Sequence, residues 1–223
     1  VQAAIVTALA RDLQRAWPQL NVSELRATLP RFTTLVAALV HRYGSASATA
    51  AVQQYRTERA SAGVTGRLTL IPAQLPRLPQ IGQTVDWATQ PLWAAEPDIA
   101  AAEKLVQSSA EKLVLDVGRD TIVSNARRDD KARGWARVPE PGACYFCALL
   151  ATRGMVYKKA TAGFLSHDHC RCHAEPVFTA YEPSAQIREW QQLYRDSTHG
   201  SGSKNVQRQW RKAYAAAYPD SVA

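Results

Sequence analysis

Between residues 144 and 172 the chain holds all four of its cysteines, and between 167 and 173 three of its five histidines. This concentration is the strongest constraint in the sequence. Cys144 and Cys147 form a C-x2-C pair, in which a tight turn can aim both sulfurs at one centre. Further along, HDHCRC supplies His167, His169, Cys170 and Cys172, and His173 follows. If residues 170–172 are extended, Cys170 and Cys172 point to one side. Zn²⁺ takes four N or S ligands in a tetrahedron, and a two-plus-two split across a loop provides them. The candidate ligands are therefore Cys144, Cys147, His167, Cys170 and Cys172, five donors for four places, with His169 and His173 outside the set.

Two other readings of the cysteines compete with metal binding. A C-x2-C to C-x-C disulfide framework needs an oxidising compartment. The opening VQAAIVTALA is mildly apolar but lacks a basic flank ahead of it, so no signal peptide is expected. Unlinked buried thiols suit one or two cysteines better than four in so short a stretch. A closed, thiolate-rich zinc site would be structural, because it leaves no open coordination position for water.

Around this cluster the sequence predicts a mainly α protein with a small α+β zinc-knuckle module. Ile5, Leu9, Leu13 and Trp17 make an apolar stripe at helical spacing. Ser23 suggests a cap, and Pro30 can open a long helix through Phe32, Val36, Val40 and Tyr43 to about residue 60, ended by GVTG. Five prolines between 72 and 97 predict a packed-down connector, mostly without helix. Asp98 is placed to cap a second long helix to about residue 128, with Lys104, Glu111, Lys112 and Arg119 expected to face away from its apolar stripe. Both long helices are read as one-sided and as packing on each other. After Gly134 the pattern changes to turns and short strands at 135–138, 154–158 and 170–178, Pro176 suggesting an edge strand. Helices return over 183–195 and from Val206 through Tyr214. The expected regions are 1–65 (helical), 66–97 (connector), 98–133 (long helix), 134–180 (metal module) and 181–223 (terminal helices).

The net charge of +8 is carried mainly by residues 119–174, with 10 basic and 5 acidic groups. Such a field favours a polyanionic neighbour and sequence-independent phosphate contact. Arg127, Arg128, Lys131, Arg133 and Arg137 form the densest basic run, expected as a solvated face diluted by Asp129 and Asp130. Arg153, Lys158, Lys159 and Arg171 belong to the metal region, where Arg171 can instead bond backbone or a carboxylate. The six tryptophans are scattered, which suits core or interface anchors better than a base-stacking platform. No charge-free stretch reaches the ~20 apolar residues of a membrane-spanning helix. The sequence carries no G-x-S-x-G, H-E-x-x-H or phosphate-binding Gly-rich loop, and no enzymatic activity is expected.

Written in order, C-x2-C, L-A-T-R-G-x-V-Y, H-x2-C-R-C and P-V over Cys144 to Val177 resemble the signature of MuF-type minor head proteins of tailed bacteriophages, in the branch found in phages of actinobacteria. The helical N-terminal part is similar in style only. The resemblance implies a minor capsid protein of the virion, bound to the portal or inner head and present in several copies. It further implies a part in head assembly, DNA packaging or ejection, and contacts with portal protein, major capsid protein or packaged DNA. It also implies that the intact gene product can be fused to a capsid maturation protease. The alternatives are a nucleic-acid-binding zinc protein and a component of that protease.

Overall fold

The computed structural model describes residues 1–140, 142–156, 163–164, 166–167, 170, 172–200, 202, 205–219 and 221. The protein is mainly helical, with a small antiparallel sheet beside the cysteines. Its chain divides into two compact units. The first is built mainly from Val1–Gln54 and Thr69–Thr121, the second from Tyr55–Leu68, Ile122–Phe164 and Cys170–Ala223.

In the first unit, α1 (Gln2–Ala16) buries Val6, Leu9 and Leu13, the stripe its spacing predicts. The long helix α2 (Leu25–Ser61) begins earlier than Pro30, which lies inside it. The cap is also different. Asn21 Oδ1 accepts from the Ser23 amide, and the short 3-10 turn Val22–Glu24 runs straight into α2. The proline-rich stretch holds a helix that the sequence does not predict, α3 (Leu78–Ala88). Pro79 falls in its first turn, where the missing N–H leaves no helical bond unmade, so only the prolines outside 78–88 act as breakers. Then α4 (Ile99–Arg128) starts as expected, the Asp98 carboxylate accepting from the Ala101 amide at 2.9 Å.

These helices share one core. Leu9 and Leu13, Phe32, Val36 and Val40, Ile81 and Val85, and Ala102, Val106 and Val114 belong to a single buried cluster, so α2 and α4 do bury their apolar faces together. Each such aliphatic side chain contributes about 1.5–3 kcal/mol. The one-sided expectation for α4 is corrected, however. Glu111 and Arg119 are buried, as are Ser108, Ser109, Thr121 and Asn125. Neighbours on the same helix partner the charged two: Gln107 donates to Glu111 at 2.8 Å, and Arg119 donates to Asp116 at 2.7 Å. A polar residue looks outward-facing by periodicity alone, yet a local partner lets it be buried.

The second unit contains the sheet and three helices. Strand β1 (Gly134–Val138) is central, flanked antiparallel by β2 (Met155–Val156) and β3 (His173–Val177). Pro176 lies on an edge strand, where its missing donor is tolerated. Tyr157 and Lys158, the end of the second expected strand, lie outside the described residues, as do Lys159 and Arg171. Helices α5 (Tyr145–Ala151), α6 (Ala185–Thr198) and α7 (Val206–Ala217) pack through Leu149, Ile187, Trp190, Trp210 and Tyr214. The first of these is a further correction, since the residues after Cys144 read as a bare turn.

Candidate metal centre

Helix α5 builds half of the site. Cys144 is its N-cap, and its Sγ accepts from the Cys147 amide at 3.4 Å. A sulfur thereby takes the place of the usual capping oxygen, and the first helical turn carries the next cysteine back over it. The cap is held from behind by α7. Trp210 Nε1 donates to the Tyr145 carbonyl at 2.7 Å, and the Tyr214 hydroxyl donates to the Ala143 carbonyl at 2.6 Å. The carbonyls of the residues on either side of Cys144 are thus held by the aromatic face of a distant helix. Periodicity reveals that face, but nothing in the sequence says which carbonyls it seeks.

The other half comes from the approach to β3. Pairing of Arg137 with Ala174 and of Trp135 with Pro176 puts these four residues on one face of the sheet. In β3, Ala174 and Pro176 are the buried positions, and Cys172, two residues before Ala174, is buried as well. Across the sheet's other edge, Gly154 takes a positive φ of 67° at the end of α5, turning the chain sharply into β2.

The four cysteines are all buried and none is disulfide-bonded. Cys147 Sγ and Cys170 Sγ are 3.4 Å apart, far beyond a covalent S–S bond of about 2.05 Å. That spacing is close to the ~3.8 Å edge of a tetrahedron with Zn–S bonds of about 2.3 Å. Two sets of ligand atoms lie within 4.8 Å of one another: buried Cys147, Cys170 and Cys172, and Cys144, Cys147 and half-buried His167. Each set could hold a metal ion, and Cys147 is common to both. His173, set aside in the sequence, instead contacts Glu175 at 3.1 Å, while His169 lies outside the described residues.

Crowding shows in the acidities. The Cys147 thiol is pushed well above the ordinary thiol range, first by its hydrogen bond with Cys144, then by Cys170 and Cys172, and by burial. At Cys172 the bond with Cys147 lowers the pKa. Its bond with Cys170, burial and the charge of Cys170 outweigh that, and the thiol is pushed up to about 11. Burial and crowding thus disfavour the thiolate at Cys147 and Cys172, and a metal ion binding them must displace their protons.

The basic run is not one solvated face. Arg137 is 3% exposed and Asp129 is buried too. The Arg137 guanidinium stands 3.9 Å from Cys147 Sγ and 3.8 Å from Cys170 Sγ, with its Cζ 3.7 Å from the Phe164 ring centroid.

Residues 1–197 match the family model described as VG15 protein, which covers the helical part and the cysteine cluster alike. The chain belongs to this family, and the membership marks it as a phage-associated protein. No curated protein and no solved structure matches it. Among the described residues, no helix is long and apolar enough to cross a membrane.

Proposed function

We propose that the chain is a structural minor head protein of a tailed phage, of the MuF-like type in the actinobacteriophage branch, seated at the portal vertex or the inner face of the head. The observation that carries this reading is membership of a phage-associated family across 1–197, with the C-x2-C and H-x2-C-R-C elements inside the matched span. In this role the protein aids head assembly and DNA packaging or ejection, and its partners are the portal protein and the major capsid protein. The net charge of +8 supports sequence-independent contact with packaged DNA. In the host cytoplasm it acts during assembly, and its work is structural rather than enzymatic.

The ion proposed for the cysteine cluster is Zn²⁺. Cys147, Cys170 and Cys172 hold it, and Cys144 or His167 takes the fourth place. Sulfur-rich tetrahedral sets favour zinc or iron–sulfur chemistry, and a mononuclear zinc suits a single cluster of this size. The ion serves as a staple. Sheet and knuckle together are too small to bury much apolar core, and metal binding supplies folding energy there.

The test is mass spectrometry of purified particles of the phage that encodes the chain, combined with capture on its portal protein. The expected result is a protein present in several copies per particle and retained by portal. Absence from particles together with no portal binding overturns the head-protein reading. Cleavage of capsid or scaffold protein by the purified chain would move the assignment to a maturation protease.

A further inference from the structure

One buried guanidinium lies against the sulfurs of the candidate metal centre. Arginine stays protonated in proteins, so whatever its other donors meet, a fixed positive charge lies beside the sulfurs. Thiols are weak acceptors, whereas thiolates are anions. Arg137 occupies the middle strand of the sheet, on the face that also carries Ala174 and, two residues earlier, leads to Cys172. From there its Nη1 lies within 4 Å of two sulfurs, Cys147 and Cys170. Phe164 backs the guanidinium plane, and a cation lying on an aromatic face is itself stabilised.

We propose that Arg137 is the counter-cation of an anionic metal–thiolate centre and sets how tightly the ion is held. This rests on the zinc reading above. With three thiolates and one imidazole a zinc centre carries a charge of about −1, and with four thiolates about −2. Under either ligand set the loaded centre is anionic, and the arginine offsets part of that charge in a buried setting. It acts through the sulfurs and does not ligate the ion, so it is a positioning residue. The planar side chain also explains why arginine stands here rather than lysine. A guanidinium can lie flat on Phe164 while one nitrogen reaches both sulfurs, which a point-like ammonium on a flexible stem does less well.

The test compares the full chain with Arg137→Lys, Arg137→Gln and Arg137→Met. Zinc affinity is measured by competition with a chromophoric chelator, and cobalt-loaded samples report the thiolate-to-metal charge-transfer band. We expect the Met and Gln variants to bind zinc about 10- to 100-fold more weakly, with Lys in between. The cobalt band should shift in Met and Gln and return toward wild type in Lys, a pattern that lost packing alone does not produce. Should Met fail to fold, Lys against Gln decides: tighter binding by Lys supports the assignment, and equal binding overturns it. Wild-type protein that binds no zinc defeats the metal reading itself. Wild-type binding with all three variants unchanged within about twofold defeats only the role of Arg137.

Discussion

Arg59 Nε and Asp129 Oδ2 stand 3.0 Å apart, joining the last turn of α2 to the residue just past α4 across 70 positions of sequence. The Tyr55 hydroxyl donates to the same carboxylate oxygen at 3.2 Å. The remaining guanidinium donors close the end of α2, reaching the Val64, Thr65 and Gly66 carbonyls. One buried acid therefore anchors both a helix terminus and the loop that follows it.

Replacing Asp129 by Ala strips the acceptor from the buried Tyr55 hydroxyl, the half-buried Arg59 guanidinium and the Lys131 amide. Breaking a buried ion pair from one side costs about 3–5 kcal/mol. Tyr55→Phe removes one hydrogen bond and should cost only about 1 kcal/mol. Urea unfolding of both variants checks the order. Asp129→Ala losing less than Tyr55→Phe would mean that the pair carries little of the second unit's stability.

Close approach of α2 and α4 within the first unit depends on Gly118. A methyl group there would lie 2.5 Å from Ser47 Oγ and 2.9 Å from Gln2 Nε2. The Ser47 hydroxyl is already committed to Gln2 Oε1 at 2.9 Å, so relief requires breaking that bond. Gly118→Ala should destabilise by about 1–3 kcal/mol. Gly82 in α3 has open space around it, and Gly82→Ala should be neutral or stabilising by up to about 1 kcal/mol. Thermal unfolding of the two variants should give shifts of opposite sign or clearly different size, and equal losses would contradict the packing argument.

The Tyr43 hydroxyl donates to Asp12 Oδ2 at 2.6 Å. That bond first, then Arg15 and Arg42, holds the Asp12 carboxyl below its ordinary range against a smaller opposing effect of burial. A carboxyl depressed in the folded state adds stability above its unfolded pKa of about 3.9, and the contribution is lost as pH falls through the lower folded value. Carbon-detected NMR titration should place Asp12 below the usual carboxylate range in wild type and nearer to it in Tyr43→Phe. Equal titration midpoints would show that the hydroxyl does not set the acidity.

Cys147 belongs to both candidate ligand sets, so Cys147→Ser should disturb the cluster more than His167→Ala or Cys144→Ser alone. Hydrogen exchange should speed up across β1 and β3 in Cys147→Ser, while the first unit's core around Phe32 and Val106 keeps its protection. Unchanged exchange across the strands would mean that the cluster is no staple.

Much of this was legible in residue order. Helix spans follow from apolar spacing, the Asp98 cap from its position before an Ala-rich run, and a Cys/His cluster that could hold a metal from C-x2-C and H-x2-C-x-C spacing alone. What escaped depends on partners distant in sequence. Helix α5 is seven residues long, below the length at which periodicity can be told from a turn. Pro79 looked like a breaker because a first-turn proline and an interior one are alike in a proline-rich string. Arg137, Glu111, Arg119 and Asp129 read as surface charges, since composition cannot show that each has a partner waiting inside the fold. Trp210 and Tyr214 gave the right helix face but not the carbonyls they hold.

Zinc content is the most direct test of the metal-stapled account. Full-length chain purified without added metal, under reducing conditions, is analysed for metals by inductively coupled plasma mass spectrometry alongside a thiol titration after denaturation. The account predicts close to one zinc per chain, with all four cysteines titrating as free thiols once the ion is chelated. Protein that is folded, carries no zinc and takes none up on addition would contradict it.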